Sequence, residues 1–243
     1  MPPSVLRRQT LRTANILAAL GQFTLFPMFF FVSIYLQDVV GHSPLGAGPG
    51  LLPLSLLVIT IAGAADRVIG RLGLRAVMVA GFVLVATGMT WLAAALSARG
   101  GFVSGVLGPS LVLAVGLPLL SISTNVAATA ESGPAETGLV AGLINTSQQF
   151  GAVLGVAVMA GVVATRAGSP VDTRGTADPA ALTDGIRLAF LVGAVVGLFA
   201  AAVAARLRDA PAPQPSKRPL TSVEGATVPT AGPGQPVREG DAQ

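Results

Sequence analysis

An all-α membrane protein with six transmembrane helices is the fold class this sequence predicts, and three observations predict it. The 243 residues are 52 % hydrophobic and only 11 % charged, with a mean hydropathy of +0.72. A soluble domain of this size carries about 25 % charged residues to face water, so much of this surface does not face water. The remaining charges bracket long neutral windows: 25 residues between Arg12 and Asp38, 27 between Asp38 and Asp66, and 23 between Arg75 and Arg99. Three more follow, of 31 residues from Arg99 to Glu131, 29 from Glu136 to Arg166, and 18 from Arg187 to Arg206. A helix needs roughly 20 apolar residues to cross a ~30 Å hydrocarbon core, which gives six candidate spans. The third observation is the placement of basic residues, discussed below. Membrane barrels read as ~10-residue stretches of alternating polarity, whereas these windows are apolar all round.

The spans fall at about 14–36, 45–65, 76–98, 102–129, 138–165 and 182–207. The first contains Gly21 and Pro27, the second Pro49 and Pro53, and the fourth Pro109 and Pro118. Proline within a span removes one backbone bond, which neighbouring helices in a membrane protein make good. Residues 1–13 read as a cytoplasmic N-terminal segment. Residues 208–243, rich in Pro, Gly, Thr and Gln, cannot bury enough apolar surface to fold and read as a disordered cytoplasmic tail. The basic leader does not make the first span a signal peptide, because its apolar run is too long and no A-x-A site follows.

Arg7, Arg8 and Arg12 precede the first span, and Arg67, Arg71 and Arg75 lie between the second and third. Arg206, Arg208, Lys217, Arg218 and Arg238 follow the sixth, while the alternate side holds only Arg99, Arg166, Arg174 and Arg187. That bias places both termini in the cytoplasm of a multi-pass plasma-membrane protein. The connection 130–137 carries Glu131 and Glu136 but no basic residue, and acidic residues count little in this rule. The net charge of +4 follows topology and is no nucleic-acid signal. Arg67, Arg71 and Arg75 either anchor topology or act as an inner gate.

No charge lies near the middle of a span, which makes this chain alone a poor proton relay. Gln22, Phe26, Phe29, Phe30 and Ser33 share one side of the first helix, a face suited to a bulky apolar ligand or to lipid and packing. Ser121, Thr124 and Asn125 share a face of the fourth helix, and Asn145, Gln148 and Gln149 a polar face of the fifth. Amides are costly in hydrocarbon unless paired, so these two groups either bond to each other or line an aqueous cavity. Glycines four apart recur at Gly46/Gly50, Gly101/Gly105, Gly138/Gly142, Gly151/Gly155 and Gly193/Gly197, a spacing that lets helix backbones approach closely.

Enzyme chemistry finds no support. The only histidine, His42, sits in Gly41-His42-Ser43-Pro44-Leu45, which lacks the last glycine of G-x-S-x-G. There is no Walker motif, no carboxylate pair, no cysteine and no expected metal or cofactor.

Three stretches resemble one family, the major facilitator superfamily, in its fourteen-helix drug:proton antiporter branch (EmrB/QacA type). The run from Phe29 through Tyr35-Leu36-Gln37 and Gly41-His42-Ser43-Pro44-Leu45-Gly46-Ala47-Gly48 to Leu52-Pro53 resembles that branch's YLQ…G-S-P-L-x-A-G…L-P signature. Arg71-Leu72-Gly73-Leu74-Arg75 is similar to its R-x-G-x-R turn, and Gly138 through Asn145-Thr146-Ser147-Gln148-Gln149-Phe150-Gly151 to Gly155 resembles its penultimate helix. Residues 181–193 look like the entry to its last helix. The resemblance covers about 5–207, with Pro49 where leucine is usual and Asp66 where a small residue is common.

The resemblance implies one six-helix major-facilitator-type half-bundle, the C-terminal half of an efflux transporter. Its partners would be the lipid bilayer, an N-terminal half on a second chain or in a missing portion, and a small apolar or cationic substrate. The substrate site would lie between the halves, with Gln22, Phe26, Ser33, Ser121 and Asn125 lining the cavity and Gly151 and Gly155 serving packing. Proton coupling would belong mainly to the other half. The alternative is a non-transporting remnant or scaffold subunit that pairs with other helices.

Overall fold

The computed structural model describes residues 9–41, 44–97, 103–130, 136–167 and 179–207. Six long helices fill them: α1 (Gln9–Ile34), α2 (Pro44–Leu72), α3 (Leu74–Ala95), α4 (Gly108–Thr129), α5 (Thr137–Ala167) and α6 (Pro179–Ala204). The expected tail at 208–243, the loop histidine His42 and most of the loop 166–181 lie outside the described residues.

Five helical segments are long and apolar enough to cross a membrane: Thr10–Val39, Leu74–Ala95, Gly105–Thr129, Thr137–Arg166 and Pro179–Ala204. The expectation of six spans is thus met for five. The exception is α2, whose stretch with described side chains, 54–72, ends in Asp66, Arg67 and Arg71, three charges within the last two turns. With the relatives described below, these segments make the chain a multi-pass membrane protein.

The helices outrun the neutral windows. The α1 helix begins at Gln9 and continues beyond Ile34 as a π-helical turn, Tyr35–Val39, closed by Val40 N–H donating to the Tyr35 carbonyl at 3.1 Å. A second π-helical turn, Val103–Leu107, leads into α4. The turn expected between the second and third spans is shorter than predicted, because α2 runs through Arg67 and Arg71 to Leu72. Gly73 alone separates it from α3. Its N–H closes α2 on the Ile69 carbonyl at 2.9 Å, and its carbonyl accepts from Val77 N–H of α3 at 3.2 Å. Gly73 has φ 85° and ψ 152°, a region open essentially to glycine only.

The helix pairing has an internal regularity. The α3–α4, α1–α5, α3–α6, α5–α6 and α2–α4 contacts are the most extensive, followed by α1–α4 and α1–α6. Exchanging α1 with α4, α2 with α5 and α3 with α6 converts α1–α5 into α2–α4, α1–α6 into α3–α4, and α5–α6 into α2–α3, all of which occur. Leu17, Met78, Phe82, Met89, Ile186 and Phe190 form the fully buried centre.

Lipid is as apolar as leucine, so helix association in a membrane rests on close packing rather than on escape from water. The α1–α5 contact shows how close that is. A Cβ added at Gly151 would meet the carbonyl oxygen of Ala19, and one at Gly155 the carbonyl oxygen of Phe23 with its Cα at 2.8 Å. The α3–α4 contact is similar, with a Cβ at Gly81 lying 2.7 Å from the Leu120 backbone nitrogen.

Candidate functional site

The polar residues of α1, α4 and α5 collect on the side of the bundle away from the α3–α6 pair. On α1, Gln22 is half-buried, while Phe26, Phe29, Phe30 and Ser33 are exposed. On α4, Ser121 is half-buried and Asn125 exposed. On α5, Asn145 and Gln149 are exposed and Gln148 half-buried.

At the centre of this side α1, α4 and α5 enclose a narrow cleft lined by Leu17, Ala18, Gly21, Gln22, Leu25, Leu120, Ser121, Thr124 and Gln148. It joins three of the residues singled out from sequence, Gln22, Ser121 and Gln148. Phe26, Ser33 and Asn125 lie outside its lining. About 20 Å³ of it is open to water. That holds roughly one water molecule, whereas a drug-sized ligand needs about 300–1,000 Å³.

Most hydroxyls here are satisfied within their own helices. Thr124 Oγ1 donates to the Leu120 carbonyl at 2.7 Å, Ser123 Oγ to that of Leu119 at 2.6 Å, and Thr24 Oγ1 to that of Gly21 at 2.8 Å. Asn125 Nδ2 likewise turns back to the Ser121 carbonyl at 2.8 Å, and Gln37 Nε2 donates to Ser33 Oγ at 2.7 Å. The expected bonding between the α4 and α5 polar groups therefore does not form among the described residues. Thr124 and Asn125 each find a carbonyl one turn back, a nearer partner than a side chain across the interface.

The side-chain bond that ties α5 to a neighbour runs to α1 instead. Ser147 Oγ donates to Asn15 Oδ1 at 2.8 Å, and Asn15 Nδ2 donates to the Leu11 carbonyl at 2.8 Å. Sequence reading missed this pair. Ser147 sits within the polar run Asn145-Thr146-Ser147-Gln148-Gln149, and nothing in the sequence marks Asn15 as its partner. Removing Asn15 and Ser147 singly and together should give a coupling energy of about 0.6 kcal/mol in a double-mutant unfolding cycle, the typical size for hydrogen bonds between membrane helices. A coupling indistinguishable from zero would remove the bond from the account of the α1–α5 contact.

Two further polar anchors escaped notice. The buried Tyr35 hydroxyl donates to the Ser97 carbonyl at 2.8 Å, tying the end of α1 to the end of α3. Arg187 Nε donates to the Ala93 carbonyl at 2.7 Å, tying α6 to α3. Arg67, Arg71 and Arg75 are all exposed, the first two on α2 and the last in the first turn of α3. None of them forms an ion pair among the described residues.

No family model matches the chain. It is similar to a tetracenomycin C resistance and export protein of Streptomyces glaucescens, 34 % identical over 171 residues, covering 69 % of this chain and 31 % of that protein. It is also similar to the multidrug efflux pump LfrA of Mycolicibacterium smegmatis, 30 % identical over 221 residues, 90 % of this chain and 41 % of the pump. An uncharacterized MFS-type transporter of Mycobacterium tuberculosis is 28 % identical over 166 residues, 68 % of this chain and 28 % of the transporter. The chain spans between 26 and 41 % of the length of the curated relatives it matches, which are named for export, efflux, drug resistance or MFS-type transport.

Proposed function

We propose that this chain, which its relatives support as a member of the major facilitator superfamily, is the C-terminal six-helix bundle of a fourteen-helix efflux transporter. In this reading it supplies half of a cavity for small apolar or cationic molecules. The observation that carries the reading is the side formed by α1, α4 and α5. It exposes amides and phenylalanines together, yet its cleft has about 20 Å³ open to water. Amides left facing hydrocarbon are costly. A second helical bundle laid over this side would shelter Gln22, Ser121 and Gln148 and enlarge the cleft into a site. Phe26, Ser33 and Asn125 would line the wider rim.

The interchangeable helix pairing supports the same reading, since nested three-helix repeats are how each half of such transporters is built. So does the short share of each relative that the chain spans. The N-terminal bundle would come from a further part of the same protein or from a second chain, and would carry the residues that couple efflux to protons. Both ends of the bundle would face the cytoplasm, with Arg67, Arg71 and Arg75 at its inner side.

Co-expression with an N-terminal six-helix half from a drug-export relative tests this. Ethidium efflux from loaded cells should exceed that of either half alone. Efflux no greater than the separate halves would overturn the transporter reading and favour a non-transporting scaffold.

A further inference from the structure

The opposite side of the bundle carries a second constellation, which the transport reading does not use. Two adjoining hollows of about 410 Å³ each lie along α3 and α6. They share Thr90 and Ala94. One is capped by Arg166, Asp184 and Arg187, and the other is walled by Trp91 and Leu198. Below the charged end the exposed side chains are mostly apolar, with Val83 on α3 and Leu191, Val195 and Leu198 on α6 beside the hydroxyls of Thr87 and Thr90. Trp91, the only tryptophan in the chain, is 47 % exposed on this face. Tryptophan concentrates where hydrocarbon meets headgroups, so Trp91 marks that depth.

Arg187 has an evident structural duty. Its Nε bond to the Ala93 carbonyl satisfies one of the acceptors left open in the last turn of α3. That bond also fixes the guanidinium at the mouth of the groove. Nη1 lies 3.5 Å from Asp184 Oδ1, and the Arg187 side chain remains 42 % exposed. A guanidinium has five N–H donors, so others are left for a ligand. Arg166, in the last turn of α5, is exposed beside it. The two arginines and one aspartate sum to a single positive charge at the end of an apolar groove.

We propose that this groove is a binding site for a phospholipid of net negative headgroup. Its phosphodiester would sit at Arg166 and Arg187, and an acyl chain would run along Thr90, Ala94 and Trp91. One negative charge matches the cluster's surplus, and arginine is suited to phosphate geometry. A zwitterionic headgroup brings the same phosphate but also an ammonium that cancels the match.

Trp91 is a built-in reporter. The whole chain, reconstituted in phosphatidylcholine vesicles, would be titrated with brominated phosphatidylglycerol, phosphatidylethanolamine or phosphatidylcholine while tryptophan quenching is followed. Brominated phosphatidylglycerol should show an apparent affinity about fivefold above brominated phosphatidylcholine, the effect of roughly one surplus interfacial cation. Arg166→Gln should abolish that preference, and Arg187→Gln should do the same where circular dichroism shows the helices intact. Arg71→Gln, at the other end of the bundle, should keep it. Equal quenching by all three lipids would overturn the site. Phosphatidylethanolamine quenching as well as phosphatidylglycerol would overturn the charge match, as would a preference that survives Arg166→Gln. Ethidium efflux enters none of these readouts, so failure here leaves the transport reading to its own test.

Discussion

Gly151→Val and Gly155→Val are each expected to destabilise the bundle severely. The first side-chain carbon at either position would collide with α1 backbone, at Ala19 or at Phe23. Overpacking an apolar core typically costs about 1–3 kcal/mol. Backbone atoms cannot swing aside as a flexible side chain does, so these two variants belong at or above the top of that range. The α1 and α5 helices would have to move apart along the contact that Asn15 and Ser147 also join. Far-UV circular dichroism of the detergent-solubilised chain during an SDS titration would report the loss as an early unfolding midpoint. Gly142→Ala and Gly161→Ala on the same helix are the controls, because a Cβ at either meets nothing within 4 Å. Midpoints for the valine variants equal to those of the controls would rule out the close α1–α5 approach.

Gly73→Ala should cost about 1–3 kcal/mol for a different reason. A Cβ there meets nothing within 4 Å, so the penalty is wholly conformational and comes from holding φ 85° and ψ 152° with a side chain attached. Gly70, three residues earlier in α2, is equally open but has no such backbone demand. Gly70→Ala should therefore gain about 0.5–1 kcal/mol, the usual difference between alanine and glycine within a helix. The same SDS titration separates the two, since the midpoints should move in opposite directions. A Gly73→Ala midpoint matching the unmodified chain would show that the α2–α3 junction relaxes out of the glycine region at no cost.

The existence of the helices was legible from charge spacing, because six successive charge-free windows of 18 or more residues have few fates other than a membrane. Their lengths were not. Hydrogen bonding along a helix does not stop where hydrocarbon stops, so α2 carries on through Asp66, Arg67 and Arg71, and α1 starts before Arg12. The face of α1 from Gln22 to Ser33 was readable from helical periodicity; Phe26, Phe29, Phe30 and Ser33 on it are exposed and Gln22 is half-buried. Periodicity, however, states which side chains share a side, not which helix lies opposite. Hence Gln22, Ser121 and Gln148 meet in one cleft while Phe26, Ser33 and Asn125 do not. For the same reason the polar groups of α4 and α5 gave no hint that α5 would bond to α1 through Ser147. The glycine pairs were ambiguous in the same way. A Cβ at Gly151 or Gly155 would strike backbone, whereas Gly138 and Gly142, at identical spacing, face open space.

The cross-wise pairing of helices also bears on how the chain is made. Apart from α5–α6, the most extensive contacts join a helix of the first three to one of the last three. During synthesis at about 5–20 residues per second, α1 to α3 must wait in the bilayer for several seconds before α4 emerges to receive them. In that interval α3 lacks Gly116 of α4 against its own Gly81 and Val85, and α1 lacks α5 altogether. Assembly of the bundle is thus set by the arrival of the second half.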